Sequence, residues 1–197
     1  MDEKFNDLLK RVNGILKPLG YKKEGSNFRL YLPNGICKIF NFQKSKWNTK
    51  EHLEFCINAG IYFEKNDNIN NLKFKEYDCI IRKRREREKG KFGVWWIIND
   101  YANMDEIYES VKIALEEIIR DFEFFSSKEK TIKSVFDGTA NNYADPTYLH
   151  YYNAKLFAEM GYEQEVYDII KNIKEKHPYA THVIELADEL EERLKNN

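Results

Sequence analysis

Leu53-Glu54-Phe55-Cys56-Ile57-Asn58-Ala59-Gly60-Ile61-Tyr62-Phe63 is the stretch that decides the fold. Leu53, Phe55, Ile57, Ala59, Ile61 and Phe63 alternate with Glu54, Cys56, Asn58, Gly60 and Tyr62. A period of two sustained this long is a β-strand, with the first set on a packed face and the second on a polar or small one. Upstream, 28–32 and 36–45 read as two strands turned by Pro33-Asn34-Gly35, because Asn-Gly between β-rich runs signals a hairpin. The second of these leads into Ile39-Phe40-Asn41-Phe42-Gln43-Lys44-Ser45-Lys46-Trp47. There, parity sets Phe40 and Phe42 on one side and Asn41 and Gln43 on the other. Downstream, 77–84 and 94–99 are expected as further strands. The connections are too short for helical crossovers, so about five strands form a mostly antiparallel sheet.

Helices flank this sheet in sequence. Phe5, Leu8, Leu9, Val12, Ile15 and Leu16 fall on one face of a helix over 3–17, stopped by Pro18 and Gly20. Asn103, with Glu106 three residues on, opens a long helix whose stripe runs Ile107, Val111, Ala114, Leu115, Ile118, Ile119 and Phe122. The fold class is therefore α+β. Beyond Ser126 the pattern turns all-helical. A short helix ends near Gly138, Asp145-Pro146 opens another that Gly161 closes, a third stops before His177-Pro178, and a last spans 181–194. Residues 1–125 are expected as the α+β domain, and 126–197 as a helical extension docked on it. Residues 154–178 resemble one tetratricopeptide repeat, although a solenoid needs about three stacked repeats.

Composition bounds the function. The 197 residues are 42% hydrophobic and 33% charged with a net charge of −1. A chain of this size buries roughly 70% of its unfolded surface and needs no disulfide or structural metal. No global field draws it to nucleic acid or membrane. No apolar run reaches the length of a bilayer span, and the N-terminus lacks the pattern of a secretory signal. Three widely spaced cysteines form no disulfide framework. The chain reads as cytoplasmic, with reduced thiols.

Candidate chemistry is sparse. Cys37, Cys56 and Cys79 have no Cys or His neighbour at zinc spacing, and the four histidines are scattered. No metal site, cofactor or glycine-rich phosphate loop is predicted. Residues 82–91, Arg-Lys-Arg-Arg-Glu-Arg-Glu-Lys-Gly-Lys, carry seven cations and two anions, followed by Trp95-Trp96. Cations beside aromatics can clamp a phosphate backbone and stack bases, while a charged hairpin tip also keeps a sheet edge from aggregating. Nucleic-acid binding by Arg82, Arg84, Arg85, Arg87, Trp95 and Trp96 is thus one reading. The polar phase of the sheet offers another, an enzyme pocket lined by Gln43, Asn58, Tyr62 and Arg82, unless the C-terminal helices cover that face. Gly60 inside a strand marks a bulge or a close approach.

Four ordered blocks carry a family resemblance: Leu16-Lys17-Pro18-Leu19-Gly20-Tyr21-Lys22-Lys23, Phe42-Gln43-Lys44-Ser45-Lys46-Trp47, Phe55-Cys56-Ile57-Asn58-Ala59-Gly60-Ile61, and Arg82 and Arg84 followed by Trp95-Trp96. Over about 5–121 the chain resembles the bacterial family catalogued as domain of unknown function 4304. The resemblance implies an α+β domain and no established activity. Where that family tends to carry an aromatic or histidine before the arginines, this chain has Cys79-Ile80-Ile81, which weakens any histidine-based site. By analogy, such small bacterial domains include immunity proteins.

The leading expectation is a non-enzymatic module that binds a protein partner, in an immunity or regulatory role. Its candidate binding residues are Gln43, Lys44, Trp47, Asn58, Tyr62, Arg82, Arg84, Trp95 and Trp96.

Overall fold

The computed structural model describes residues 1–64, 73–88, 90–142, 156–176, 179 and 181–196. They fall into two compact units, Met1–Lys128 and Glu129–Asn197. The first runs α1 (Asp2–Leu16), β1 (Lys22–Glu24), β2 (Asn27–Tyr31), β3 (Ile36–Lys44), β4 (Leu53–Phe63), β5 (Ile81–Arg85), β6 (Trp96–Ile98) and α2 (Met104–Glu123). The sheet has the order β1-β2-β3-β4-β5, with β6 also on β4, and every pairing is antiparallel. This is the α+β fold expected from the sequence.

Both helices of this unit follow their apolar stripes. Phe5, Leu8, Leu9, Val12 and Leu16 of α1 are buried, as are Val111, Ala114, Leu115, Ile118 and Phe122 of α2. Asn103 caps α2 by accepting from the backbone N–H groups of Asp105 and Glu106, while its amide donates to Glu106 Oε1. That pairing satisfies donors a helix start otherwise leaves open. The two helices cover one face of the sheet. Phe5 meets Phe55 edge-on with ring centroids 5.3 Å apart, and Phe40 stacks on Phe122 at 6.2 Å.

Two details are sharpened. The sheet has six strands rather than about five, because Lys22-Lys23-Glu24 pairs with β2. All three residues are exposed, so no hydrophobic period marks them. The basic segment is also not a hairpin tip. Ile57 faces Arg85 while Phe55 faces Trp96, so β5 and β6 run in the same direction along one edge of β4. The chain between them leaves that edge and returns, its neck closed by the Arg87 N–H on the Val94 carbonyl at 2.9 Å.

The second unit is helical where described. Beyond α3 (Lys128–Phe136) come α4 (Glu163–Lys176) and α5 (Thr181–Lys195), tied by Lys174 to Asp188 and by Arg193 to Glu163. Gly161, at φ 95°, ends the helical turn before α4, with the Tyr162 N–H returning to the Phe157 carbonyl at 3.0 Å. The helix start at Asp145-Pro146 and the stop at His177-Pro178 lie outside the described residues. The tetratricopeptide-like segment is described only over 156–176. Among the described residues no helix is long and apolar enough to cross a membrane.

Candidate functional site

Register decides what meets on the sheet face opposite α1 and α2. Glu24 faces Asn27, Asn27 faces Asn41, Asn41 faces Asn58, and Asn58 faces Arg84. A polar row thus crosses all five strands of the sheet path. Its side chains are joined head to tail. Arg84 Nε donates to Asn58 Oδ1 at 3.0 Å, the Asn58 amide to Asn41 Oδ1 at 3.4 Å, and the Asn41 amide to Asn27 Oδ1 at 2.8 Å. Gln43 braces the row from the side. Its Oε1 accepts from the Asn58 amide at 2.7 Å and from Arg84 Nη2 at 3.2 Å. Asn58 is only 6% exposed, whereas Arg84 at the end of the row is exposed. An interior amide needs such partners, since an unpaired one costs about 1–3 kcal/mol.

The rest of this face is apolar. Phe74 closes over it, 4.9 Å from the Tyr62 ring and edge-on to Tyr31, with Cys37, Ile39 and Cys79 beneath. Arg29, also buried, donates from Nε to the Phe74 carbonyl and pairs with Glu24 through Nη1. Segment 73–79 therefore buries β4 on both faces, where parity alone leaves one of them wet. Gly60 is the contact point, because a Cβ there would stand 2.5 Å from Cys79 Sγ and 2.6 Å from Cys79 Cβ. Arg82 faces Gly60 and is half-buried. Tyr62 turns its hydroxyl to Glu64 at 3.4 Å. The pocket expected from Gln43, Asn58, Tyr62 and Arg82 is thus split between a polar row and a packed patch.

Burial sets the titration of this patch. It pushes the Cys37 thiol up to about 12, Cys56 to about 11 and the Tyr62 hydroxyl to about 12, and holds the Cys79 thiol well above its ordinary value. Folded-state values above the unfolded ones mean that the native chain holds protons the unfolded chain releases. Stability is then fully present below about pH 9 and lost as pH rises toward 12. Lys38, lowered mainly by burial, acts in the opposite sense, but alone. Urea midpoints at pH 8, 10 and 11 should fall in that order. A flat series would mean that these groups ionise in the fold.

Four of the candidate residues lie elsewhere. Lys44 is on the helix side, its Nζ on Asp2 at 2.5 Å and above the Phe5 ring. Trp96 is core, 1% exposed and stacked on Phe55 at 5.5 Å, with its indole N–H on Ser110 Oγ. It has no face for a nucleic-acid base. Trp95 is half-buried at the sheet edge, and Trp47 stands in the β3–β4 loop. The basic run also divides by parity. Lys83 and Arg85 turn to the helices and pair with Asp121 and Glu117, while Arg87 and Lys91 both pair with Glu88. Arg85 is buried, so it is not available to a phosphate backbone. Its Nε and the Oε1 of buried Glu86 have no hydrogen-bond partner among the described residues.

The β3–β4 loop is built from side-chain bonds. Asn48 accepts from the Glu54 N–H at 2.8 Å and donates to the Glu54 carbonyl at 3.1 Å. Thr49 Oγ1 accepts from the N–H groups of Glu51 and His52, and Ser45 Oγ from that of Trp47. These bonds hold Trp47 out at 78% exposure, with Lys46 Nζ 5.0 Å from its ring centroid. Sequence reasoning singled out Trp47 and Lys44 but not the Asn48–Thr49 frame that positions the tryptophan. Asx and Ser/Thr turn chemistry was the signal that could have found it.

A family model described as a domain of unknown function (DUF4304) matches residues 12–124. No curated protein and no solved structure matches the chain.

Proposed function

We propose that this chain, which belongs to the DUF4304 family, is a non-enzymatic protein-binding module that engages its partner through the Trp47 loop. The observation that carries the reading is a large indole, 78% exposed, on a loop tied down by its own side-chain hydrogen bonds. Tryptophan is among the residues that dominate interface energies when it enters a partner's pocket. Side-chain bonds that hold a loop in its binding conformation reduce the entropy lost on binding, so more of the contact energy appears as affinity. Exposed Lys46 and Lys50 flank the indole and favour a partner pocket with an acidic rim. The same reading extends to a bacterial, cytoplasmic chain that holds a second protein in check, as an immunity or regulatory protein does.

The test compares the wild-type chain with Trp47→Ala in capture from the native host. A protein bound stoichiometrically by the wild type should be retained about 30-fold less by the variant, the loss of a hot spot of about 2 kcal/mol. Trp47 is exposed, so the urea midpoint should be unchanged. Equal retention of the same partner by a folded Trp47→Ala chain would overturn the proposal.

A further inference from the structure

The amide row has a direction. Every donor in it points from β5 toward β2, so Arg84 donates into a chain of neutral oxygens and accepts nothing in return. Asn58 Oδ1 takes Nε and Gln43 Oε1 takes Nη2, which fixes the guanidinium plane by one edge. No acidic side chain among the described residues pairs with Arg84, in contrast to Lys83, Arg85, Arg87 and Lys91. The row therefore orients this charge without neutralising it. The guanidinium edge not used by the amides is left to an outside acceptor, and a planar fork of that kind matches a carboxylate.

We propose that Arg84, held by Gln43 and Asn58, is a carboxylate-binding site on the sheet face, taking an acidic side chain or the C-terminal carboxylate of a protein segment. It goes beyond the Trp47 reading and does not depend on it. Charge decides between a carboxylate and a phosphate backbone. Nucleic-acid binding draws its strength from about 6–10 phosphate contacts, whereas Lys83 and Arg85, the neighbours of Arg84 in β5, are turned to the helices and paired with Asp121 and Glu117.

Two probes of equal charge separate the outcomes, a blocked triglutamate peptide and a tetrathymidylate without terminal phosphates, titrated into the full chain at fixed ionic strength. The readout is the NMR signal of Arg84 Nε–H together with the Asn58 and Gln43 side-chain amides. Triglutamate should shift these signals saturably and bind about tenfold tighter than tetrathymidylate. Arg84→Lys, which keeps the charge and loses the fork, should weaken the peptide about tenfold. Gln43→Leu, which releases Nη2 while Asn58 still holds Nε, should weaken it by a smaller factor. The site is overturned if the peptide shifts nothing, if tetrathymidylate binds as well, or if Arg84→Lys binds like the wild type. Neither probe involves Trp47, so a failure here leaves that reading standing, and the reverse holds too.

Discussion

Replacing Trp96 with alanine is expected to destabilise the first unit by about 3–5 kcal/mol, the range for removing a fully buried large aromatic. Three losses combine. The indole stacks on Phe55 at 5.5 Å with an interplanar angle of 16°, and Phe55 itself meets Phe5 and Phe42. Its N–H is the donor to Ser110 Oγ, so truncation removes the partner of a half-buried hydroxyl on α2. Moreover β6 has only three residues, of which Trp96 and Ile98 are the buried pair. Trp96→Phe should recover most of the packing and leave a deficit of about 1–2 kcal/mol, the unpaired Ser110 with a small cavity. Urea unfolding followed by far-UV circular dichroism would measure both. A loss below about 1 kcal/mol for the alanine variant would show that β6 contributes little to the fold.

Gly60→Ala should cost about 2–3 kcal/mol, at the upper end of overpacking. The added methyl would lie within 2.6 Å of two Cys79 atoms and 3.2 Å from the Ile81 carbonyl oxygen. Neither neighbour yields easily, because Cys79 is packed under Phe74 and Ile81 is paired to Ile61. The glycine is thus required by space, since its backbone is ordinary strand. Cys79→Gly would clear the methyl's place at the expense of a cavity. In a double-mutant cycle the pair should therefore show favourable coupling of about 1–2 kcal/mol. Additive losses would place the strain of Gly60→Ala somewhere other than Cys79.

How much of this was legible depends on how local the signal is. Leu53–Phe63 was read to the residue, because eleven alternating positions leave one assignment. The stripe of α2 and its cap at Asn103 were equally local. Lys22-Lys23-Glu24 was not legible, having no apolar residue to phase. Gln43, Asn58 and Arg84 could be named by parity. Their union needed a register spanning residues 24 to 84, and a one-residue slip sends every side chain to the other face. Asn27 was missed for that reason. The basic run misled because charge counts ignore facing: alternate residues of one strand went to opposite sides of the sheet, and those on the helix side found carboxylates.

The broken edge strand carries a consequence of a different kind. On β4 only Cys56 separates Ile57 from Phe55, whereas ten residues, 86–95, separate their partners Arg85 and Trp96. The sheet would close over a single residue there. Chain length at this point is therefore uncoupled from the architecture, and a segment anchored at both ends by strand pairing can grow, shrink or change composition while the core stays as it is. Such a position is where a lineage can diversify recognition without renegotiating its fold, and where an engineer would graft a foreign loop first.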